Sequence, residues 1–226
     1  MKKIDENIYM KRLNYFNVYV IKGKDGEILK DTGFIGMKRR LQRFLDKFDI
    51  KLIILTHAHV DHSWNAKYLK ERYNCEILMG KDDLINIDNS NVKSKPSMNK
   101  YKLWTKLLNK GMNIFKQEEF EPDILVEEDT EFNQYGLNFK VINLTGHTNG
   151  SIGILYNNKL FAGDSLVNRK RNYVQIAFQN QNIKKAIKSS KKIMRLNPKM
   201  VFFGHDKEVS LEKLLKDLTP KTRESR

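Results

Sequence analysis

The sequence predicts a mixed α/β protein in which two β-sheets pack face to face and helices cover both outer faces. Strand patterns occur early and late in the chain, and amphipathic helical patterns follow each half. At 226 residues the chain can bury a sizeable core without disulfides, so any bound metal is expected to be functional. We therefore interpret residues 1–226 as one domain.

Two kinds of apolar pattern predict the strands. Alternating apolar and polar side chains indicate strands with one buried face, and short apolar runs indicate strands buried on both faces. The turn signal at Lys24-Asp25-Gly26 predicts a hairpin over residues 15–30. In chain order, strands are expected at residues 7–13, 15–22, 52–55, 76–79, 137–144, 151–156, 159–163 and 200–203.

Helices are predicted where apolar residues recur every three or four positions with charged residues between them. Residues 81–123 are polar and rich in lysine, with a helical pattern around 98–115, and we expect a helical insertion over the core there. The other helices are expected at residues 35–48, 63–72, 180–195 and 209–218.

The net charge of +15 and the pI of about 9.7 suggest a nucleic-acid partner. The lysines are scattered along the whole chain rather than clustered, which favours a solvated basic surface. We therefore expect a small-molecule substrate, with nucleic acid as the weaker alternative, and leave the oligomeric state open.

The single cysteine, Cys75, excludes an internal disulfide, and its place between a helix and a strand suggests a small buried apolar side chain. The N-terminal segment is basic and lacks the apolar stretch of a signal peptide. No segment approaches the ~18 apolar residues of a membrane span. We expect a cytoplasmic protein without a membrane partner.

The decisive segment is residues 56–62, which follows the predicted buried strand at 52–55 and contains His57, His59, Asp61 and His62. In an extended loop, residues two apart point to the same side, so His57 and His59 can hold one metal together. Asp61 and His62 come where the chain turns into a helix, and they can reach a neighbouring second metal. Imidazole and carboxylate ligands suit Zn, Fe or Mn.

Four side chains cannot saturate two metals, and three more candidates occupy similar places. His147, Asp164 and His205 each follow an apolar strand pattern, beside a glycine. Taken singly, Asp164 is better explained as a turn residue and His205 as a capping or core residue. All five histidines of the chain lie in such strand-end segments, however, and this joint pattern predicts a metal site.

The order of these motifs resembles the metallo-β-lactamase superfamily: His-x-His-x-Asp-His, then Gly-His-Thr, Gly-Asp-Ser and Gly-His. The resemblance extends from about Tyr15 to His205 and includes Asp31-Thr32-Gly33. It implies a four-layer αββα sandwich. It also implies one metal on His57, His59 and His147, a second on Asp61, His62 and His205, and Asp164 bridging both.

Two positions depart from the usual pattern of that superfamily. Trp64 stands where a small residue is common, and it is expected to line the pocket or to pack the start of the helix. Asp206 follows the last histidine, where a small residue is common. Neither change affects a metal ligand, so both bear on the substrate alone.

The predicted reaction is hydrolysis by a hydroxide that bridges two metal ions, most simply zinc, with Asp61 orienting it or passing a proton to the leaving group. The basic segment from Arg169 to Tyr173 is a candidate for binding an anionic substrate, with Tyr173 donating to the oxyanion. The alternative for this segment is a solvated loop.

Several relatives of the superfamily can be weighed as functions. A secreted lactamase is disfavoured because no signal peptide is seen, and a flavodiiron protein because position 59 is not glutamate. A glyoxalase II-like thioesterase shares the ligand set. Only twenty-one residues follow His205, however, which leaves no room for the C-terminal substrate-binding helical domain of that family. We expect a hydrolase of an ester, thioester or lactone. A tRNase Z-like nuclease is the alternative, and a non-catalytic basic binding module is a second one.

Overall fold

The computed structural model describes residues 1–89, 95–96, 103, 106, 117–169 and 173–218. Most of the expected helical insertion at 81–123 therefore lies outside the described residues. The described helices are α1 (Lys38–Leu45), α2 (Val60–Ser63), α3 (Ala66–Tyr73), α4 (Leu84–Asn89), α5 (Ile183–Leu196) and α6 (Leu211–Leu218), with a 3₁₀ turn at Lys81–Asp83.

Two sheets contain most of the described strands. The first sheet has the order β1-β2-β3-β4-β5-β6-β8, and the second has the order β17-β16-β12-β11-β10-β9. The strands are β1 (Lys2–Lys3), β2 (Ile8–Leu13), β3 (Phe16–Lys22), β4 (Glu27–Lys30), β5 (Ile50–Ile54), β6 (Glu76–Gly80), β7 (Lys95–Pro96), β8 (Ile124–Val126), β9 (Thr130–Gln134), β10 (Leu137–Asn143), β11 (Ile152–Tyr156), β12 (Lys159–Phe161), β13 (Leu166–Arg169), β14 (Tyr173–Ile176), β15 (Gln179–Asn180), β16 (Met200–Phe202) and β17 (Val209–Ser210).

The two sheets pack against each other through one face of each. Alternation along β3 sends Tyr19 and Ile21 into this central core, where they meet Ile154 and Phe161 of the second sheet. All four of these side chains are fully buried. The central apolar layer is therefore built from the inward residues of both sheets, as expected for face-to-face packing.

Helices cover the outer face of each sheet. Val18 and Val20 of β3 point away from the central core and pack with Leu41 of α1 and Leu69 of α3. On the second sheet, the outward residues of β10 and β16 pack with Ile193 of α5 and with α6. The four layers follow the order helix, sheet, sheet, helix, so the predicted fold class is confirmed.

The predicted strands and helices are found with shifted bounds. The helix expected at 35–48 begins only at Lys38, because Gly36 has a φ of 77° that a right-handed helix cannot include. The helix expected at 63–72 is divided into α2 and α3, since Asn65 leaves helical geometry. The hairpin of β13 and β14 was missed, because its basic residues suggested a loop.

Cys75 is buried, as the sequence predicted. It is 5% exposed between α3 and β6, and burial raises the pKa of its thiol to about 11, as suits a small buried apolar residue.

In the described part of the chain, no helix is both long enough and apolar enough to cross a membrane.

The centre of the intersheet core can be tested by truncating Phe161. Its ring stacks on Phe202 at 5.0 Å and meets the Tyr19 ring at 5.1 Å, so Phe161→Ala leaves a cavity between the sheets. We expect a loss of about 3–5 kcal/mol in the free energy of unfolding, measured by urea denaturation. Ile187→Ala, on the exposed face of α5, is the control and should change it by less than about 0.5 kcal/mol. Equal losses would contradict this packing.

Candidate metal centre

The candidate ligands meet because strand ends from both sheets share one edge of the sandwich. His57 follows β5 of the first sheet, and His147, Asp164 and His205 follow β10, β12 and β16 of the second. These three strands of the second sheet run in the same direction, so their carboxyl ends lie together. These four candidate ligands therefore follow strand ends, as the sequence predicted.

The segment after β5 changes from extended to helical geometry within a few residues. His59 has extended dihedral angles (φ −61°, ψ 138°) and stands directly before α2. Asp61 and His62 lie within α2 itself. His57 and His59 therefore point to one side of the extended segment, while the helix turns Asp61 and His62 towards a neighbouring point.

A first group of three imidazoles meets at His59. The Nε2 atoms of His57 and His147 lie 2.9 and 3.0 Å from the same His59 Nδ1 atom. One ring nitrogen cannot be hydrogen-bonded ideally to both neighbours, because it has either a single proton or a single lone pair. A tetrahedral site with bonds of about 2.0–2.1 Å places its ligand atoms about 3.3 Å apart, which is close to this spacing.

A second group contains His62, His205 and Asp61. The Nε2 atoms of His62 and His205 are 3.2 Å apart. Asp61 Oδ2 lies 3.4 Å from His205 Nε2 and 3.8 Å from His62 Nε2. The imidazoles and the carboxylate again converge through the atoms that metals bind.

Asp164 lies between the two groups. One carboxylate oxygen is 2.9 Å from His205 Nε2, and the other is 3.6 Å from His62 Nε2. This second oxygen, Oδ1, is buried without a hydrogen-bond partner. An unpartnered buried carboxylate oxygen is costly, so the position fits a cation ligand.

All seven predicted ligands therefore converge on one centre. In each of the groups that could hold a metal ion, the ligand atoms lie within 4.8 Å of one another. The groups are His57, His59 and His147; His57, His62 and Asp164; and Asp61, His62 and His205. The first and last groups coincide with the two ligand sets that the resemblance implied, and the middle group connects them.

Burial and neighbouring charges shift the pKa values of the candidate ligands. Burial lowers the pKa of His57 and His59 well below the usual value, and the neighbouring imidazoles lower it further, so both are neutral ligands near pH 7. Burial alone raises the pKa of Asp164, but His205 and His62 beside it hold that pKa well below its usual range. Burial lowers the pKa of His205, whereas Asp164 and Asp61 raise it to about 9, so metal binding there must displace a proton.

Hydrogen bonds behind three histidines fix their ring orientation. Thr56 Oγ1 lies 3.1 Å from His57 Nδ1, and the carbonyl oxygen of Gln179 lies 2.9 Å from His147 Nδ1. His62 Nδ1 lies 2.7 Å from Asp31 Oδ2. In each ring the bonded nitrogen faces away from the centre, which leaves Nε2 free for a metal.

Asp31 lies behind the site. The resemblance included Asp31-Thr32-Gly33, but no role was predicted for the Asp31 side chain. Its Oδ1 also accepts from the backbone N–H of Thr56 at 2.8 Å, and Lys30 forms a buried ion pair with it. Burial raises the pKa of Asp31, but the charges of Lys30 and His62 lower it to about 2. The sequence signal for this buried ion pair is that two charged residues, Lys30 and Asp31, come directly after the apolar residues of β4.

Asp83 joins the two segments that hold the first group of imidazoles. The carboxylate is fully buried, and its Oδ2 accepts from the Ala58 N–H at 2.9 Å and from the Thr148 hydroxyl at 2.8 Å. Oδ1 accepts from the Gly150 N–H at 2.9 Å and from Asn86 Nδ2 at 2.9 Å. Ala58 lies between His57 and His59, and Thr148 follows His147, so Asp83 fixes the distance between both segments. Sequence reasoning did not identify it.

Gly204 gives Asp164 and His62 room to meet. A Cβ atom at position 204 would lie 2.2 Å from Asp164 Oδ1 and 2.6 Å from His62 Cε1. The glycine before His205 is therefore required by close approach, so any side chain at this position would push the carboxylate out of the centre.

Aromatic rings line one side of the second group. The Phe16 ring lies 5.1 Å from the His205 ring and 6.0 Å from Phe34, which in turn lies 5.6 Å from Trp64. Trp64 directly follows α2 and is partly buried. It thus packs at the end of this helix and belongs to an aromatic row that reaches His205.

The basic segment after Asp164 is arranged differently from the expectation. Tyr173 begins β14, and its hydroxyl donates to the backbone carbonyl of Asp217 at 2.8 Å, so in this conformation it has no proton for an oxyanion. Arg169 ends β13 opposite Tyr173, and its side chain lies outside the described residues, as do residues 170–172. Neither residue can be assigned to the centre.

Comparisons with known proteins agree with this geometry. The sequence profile described as the Metallo-beta-lactamase superfamily matches residues 14–205. A "Probable metallo-hydrolase" of Methanocaldococcus jannaschii is 35% identical over 66% of this chain and 66% of its own length. Hydroxyacylglutathione hydrolase 1 of Vibrio vulnificus is 27% identical over 91% of this chain and 68% of its own length. The chain thus spans about two thirds of the length of both relatives.

A solved structure shows the same fold. A metallo-beta-lactamase family protein from Thermus thermophilus superposes with a TM-score of 0.71 at 17% identity. The match covers 95% of this chain and 78% of that protein. At this identity the likeness concerns the fold alone.

The role of Asp83 in joining the two ligand segments can be tested with Asp83→Asn. Asparagine replaces one carboxylate oxygen with an NH2 group, which cannot accept a hydrogen bond. At least one buried donor therefore loses its acceptor, and we expect the free energy of unfolding to fall by about 1–3 kcal/mol. We also expect the affinity of the first imidazole group for zinc to fall about 10–100-fold, measured by competition with a chromophoric chelator. Asp82→Asn, at the exposed neighbouring position, is the control. Unchanged zinc affinity in Asp83→Asn would show that Asp83 serves stability alone.

Proposed function

We propose that this chain, which belongs to the metallo-beta-lactamase superfamily and is a metal-binding hydrolase, uses two divalent metal ions to cleave an ester, thioester or lactone. One observation carries the proposal. The ligand atoms of two separate groups converge on one centre, and Asp164 stands between them with an unpartnered buried oxygen. A single metal would occupy only one of these groups, although the imidazoles and carboxylates of the other converge in the same way.

The donor set fits two hard or borderline cations. It consists of imidazole nitrogens and carboxylate oxygens, which suit zinc first and also iron or manganese. We assign His57, His59 and His147 to one metal, Asp61, His62 and His205 to the other, and Asp164 to both. When bound, such a metal pair supplies a hydroxide nucleophile near neutral pH and polarises the substrate carbonyl.

Asp61 is the residue that we assign to proton movement. Its side chain is 26% exposed, against 11% for Asp164, so it is the more open carboxylate of the centre. It lies beside His205 and His62 and can orient the attacking water or pass a proton to the leaving group. Because the nucleophile in this reaction is a hydroxide, no serine or cysteine nucleophile is required.

A thioester is the substrate that we favour. The Vibrio vulnificus relative is named for a thioester hydrolase and aligns with most of this chain, which supports the same reaction class here. The aromatic row of Phe16, Phe34 and Trp64 beside His205 offers an apolar surface for an acyl group. A nuclease and a non-catalytic binding module remain the alternatives. The complete ligand set disfavours the module, since a binding module has no need of it.

The proposal predicts chelator-sensitive hydrolysis by the purified protein. After loading with zinc, iron or manganese, the protein is assayed on an acyl thioester, a lactone and an RNA hairpin. We expect thioester turnover that a chelator abolishes and that added metal restores. At matched metal content, Asp61→Asn should lower kcat by about 10²–10⁴-fold, because the proton acceptor is lost.

The exposed substitution Glu71→Gln on α3 serves as the control and should leave kcat unchanged. Metal-dependent cleavage of the RNA hairpin without thioester or lactone turnover would select the nuclease. Binding of RNA without turnover of any substrate would select the binding module.

A further inference from the structure

A cationic cleft lies between β2 and α1, on the outer side of the first sheet. Its volume is about 330 Å³, and it is lined by Met1, Lys11, Arg40, Arg43, Phe44 and Lys47. No acidic residue is among these lining residues. Four positive charges therefore face one cavity without a carboxylate to balance them.

These cations differ from many others on the surface. Lys70, Lys140 and Lys192, for example, each form an ion pair with a carboxylate. In the described part of the chain, none of the four cleft cations has a carboxylate oxygen within 4.0 Å. The cleft therefore carries a local excess of positive charge, unlike surface regions where cations and carboxylates are paired.

Cations at the N-terminal end of α1, where Arg40 lies, oppose the local stability of the helix, whereas Arg43 and Lys47 lie at its C-terminal end, where the dipole favours cations. Residues 38–40 are all basic and form its first turn, which contains no acidic residue. Cations at a helix N-terminus are unfavourable, because the helix dipole is positive there. Arg40 and Arg43 lie one turn apart on the same side, and Lys47 follows just after the helix ends. A ligand with separated negative charges would offset this repulsion.

One guanidinium is already held in place. Arg40 Nη1 donates to Asn14 Oδ1 at 2.7 Å, in the turn that joins β2 and β3. This turn leads to Phe16, whose ring lies 5.1 Å from the His205 ring. Lys11 stands two residues before Leu13, the register partner of Phe16. The Arg40 side chain thus connects the cleft to the turn between β2 and β3.

We propose that this cleft binds phosphate groups. Arginine side chains present several N–H donors in a planar fork that matches phosphate oxygens, and two arginines with two lysines can hold more than one phosphate. The phosphates belong either to a small molecule, such as a nucleotide, or to the backbone of a polynucleotide. This binding is independent of the hydrolase reaction, so it can be tested by binding alone.

The test compares two charge reversals with the same change in net charge. Arg43→Glu with Lys47→Glu alters the cleft, and Lys184→Glu with Lys188→Glu alters exposed positions of α5 at the same four-residue spacing. Pyrophosphate and ATP are titrated by calorimetry, and a labelled single-stranded oligonucleotide is titrated by fluorescence anisotropy. Circular dichroism and thermal melting verify that each variant is folded, and Lys11→Gln provides a milder cleft variant.

We expect the cleft variant to bind at least about tenfold more weakly than the wild type, while the α5 variant binds nearly as the wild type does. For the oligonucleotide, the slope of log K against log salt should fall by about one for each lost contact. Loss of pyrophosphate and ATP binding identifies a small phosphate-bearing ligand. Loss confined to the oligonucleotide identifies a polynucleotide. Equal weakening by both charge reversals, or no phosphate binding by the wild type, would overturn the proposal.

Discussion

The constraint on which the structure depends is that four strand ends, from two sheets, meet at one edge of the sandwich. β5 of the first sheet and β10, β12 and β16 of the second each end beside a candidate ligand. The apolar layer between the sheets fixes the distance between these ends, since its inward side chains are fully buried. Packing far from the centre thereby determines whether imidazoles that are distant in sequence can reach one cation.

Buried polar residues transmit this geometry to the ligands. Asp31 holds His62 and Thr56, and Asp83 holds the segments of His57 and His147. Each carboxylate is nearly or completely buried, which is tolerable only because several donors surround it. We therefore expect metal affinity and folding stability to be coupled in this protein, because Asp31 and Asp83 support the ligand segments and the fold alike.

The fold layers and the convergence of the candidate ligands could be predicted from the sequence, because strand periodicity and the short motif at residues 56–62 are local signals. The role of Asp83 could not. Asp83 accepts from Gly150, which is 67 positions away, and nothing in the sequence near Asp83 indicates that partner. Tyr173 also has a partner that its sequence surroundings do not indicate: its basic neighbours suggested a substrate contact, and its hydroxyl donates to the carbonyl of Asp217. Likewise, the clustering of cations between β2 and α1 appears only when the helix packs on the sheet, since Lys11 and Arg40 are distant in sequence.

Anomalous diffraction from crystals grown with zinc tests the central claim most directly. Data collected on both sides of the zinc absorption edge locate each metal and identify its ligands. We expect two peaks, one among His57, His59 and His147 and one among Asp61, His62 and His205, with Asp164 contacting both. A single peak, or zinc located only at surface carboxylates, would contradict it.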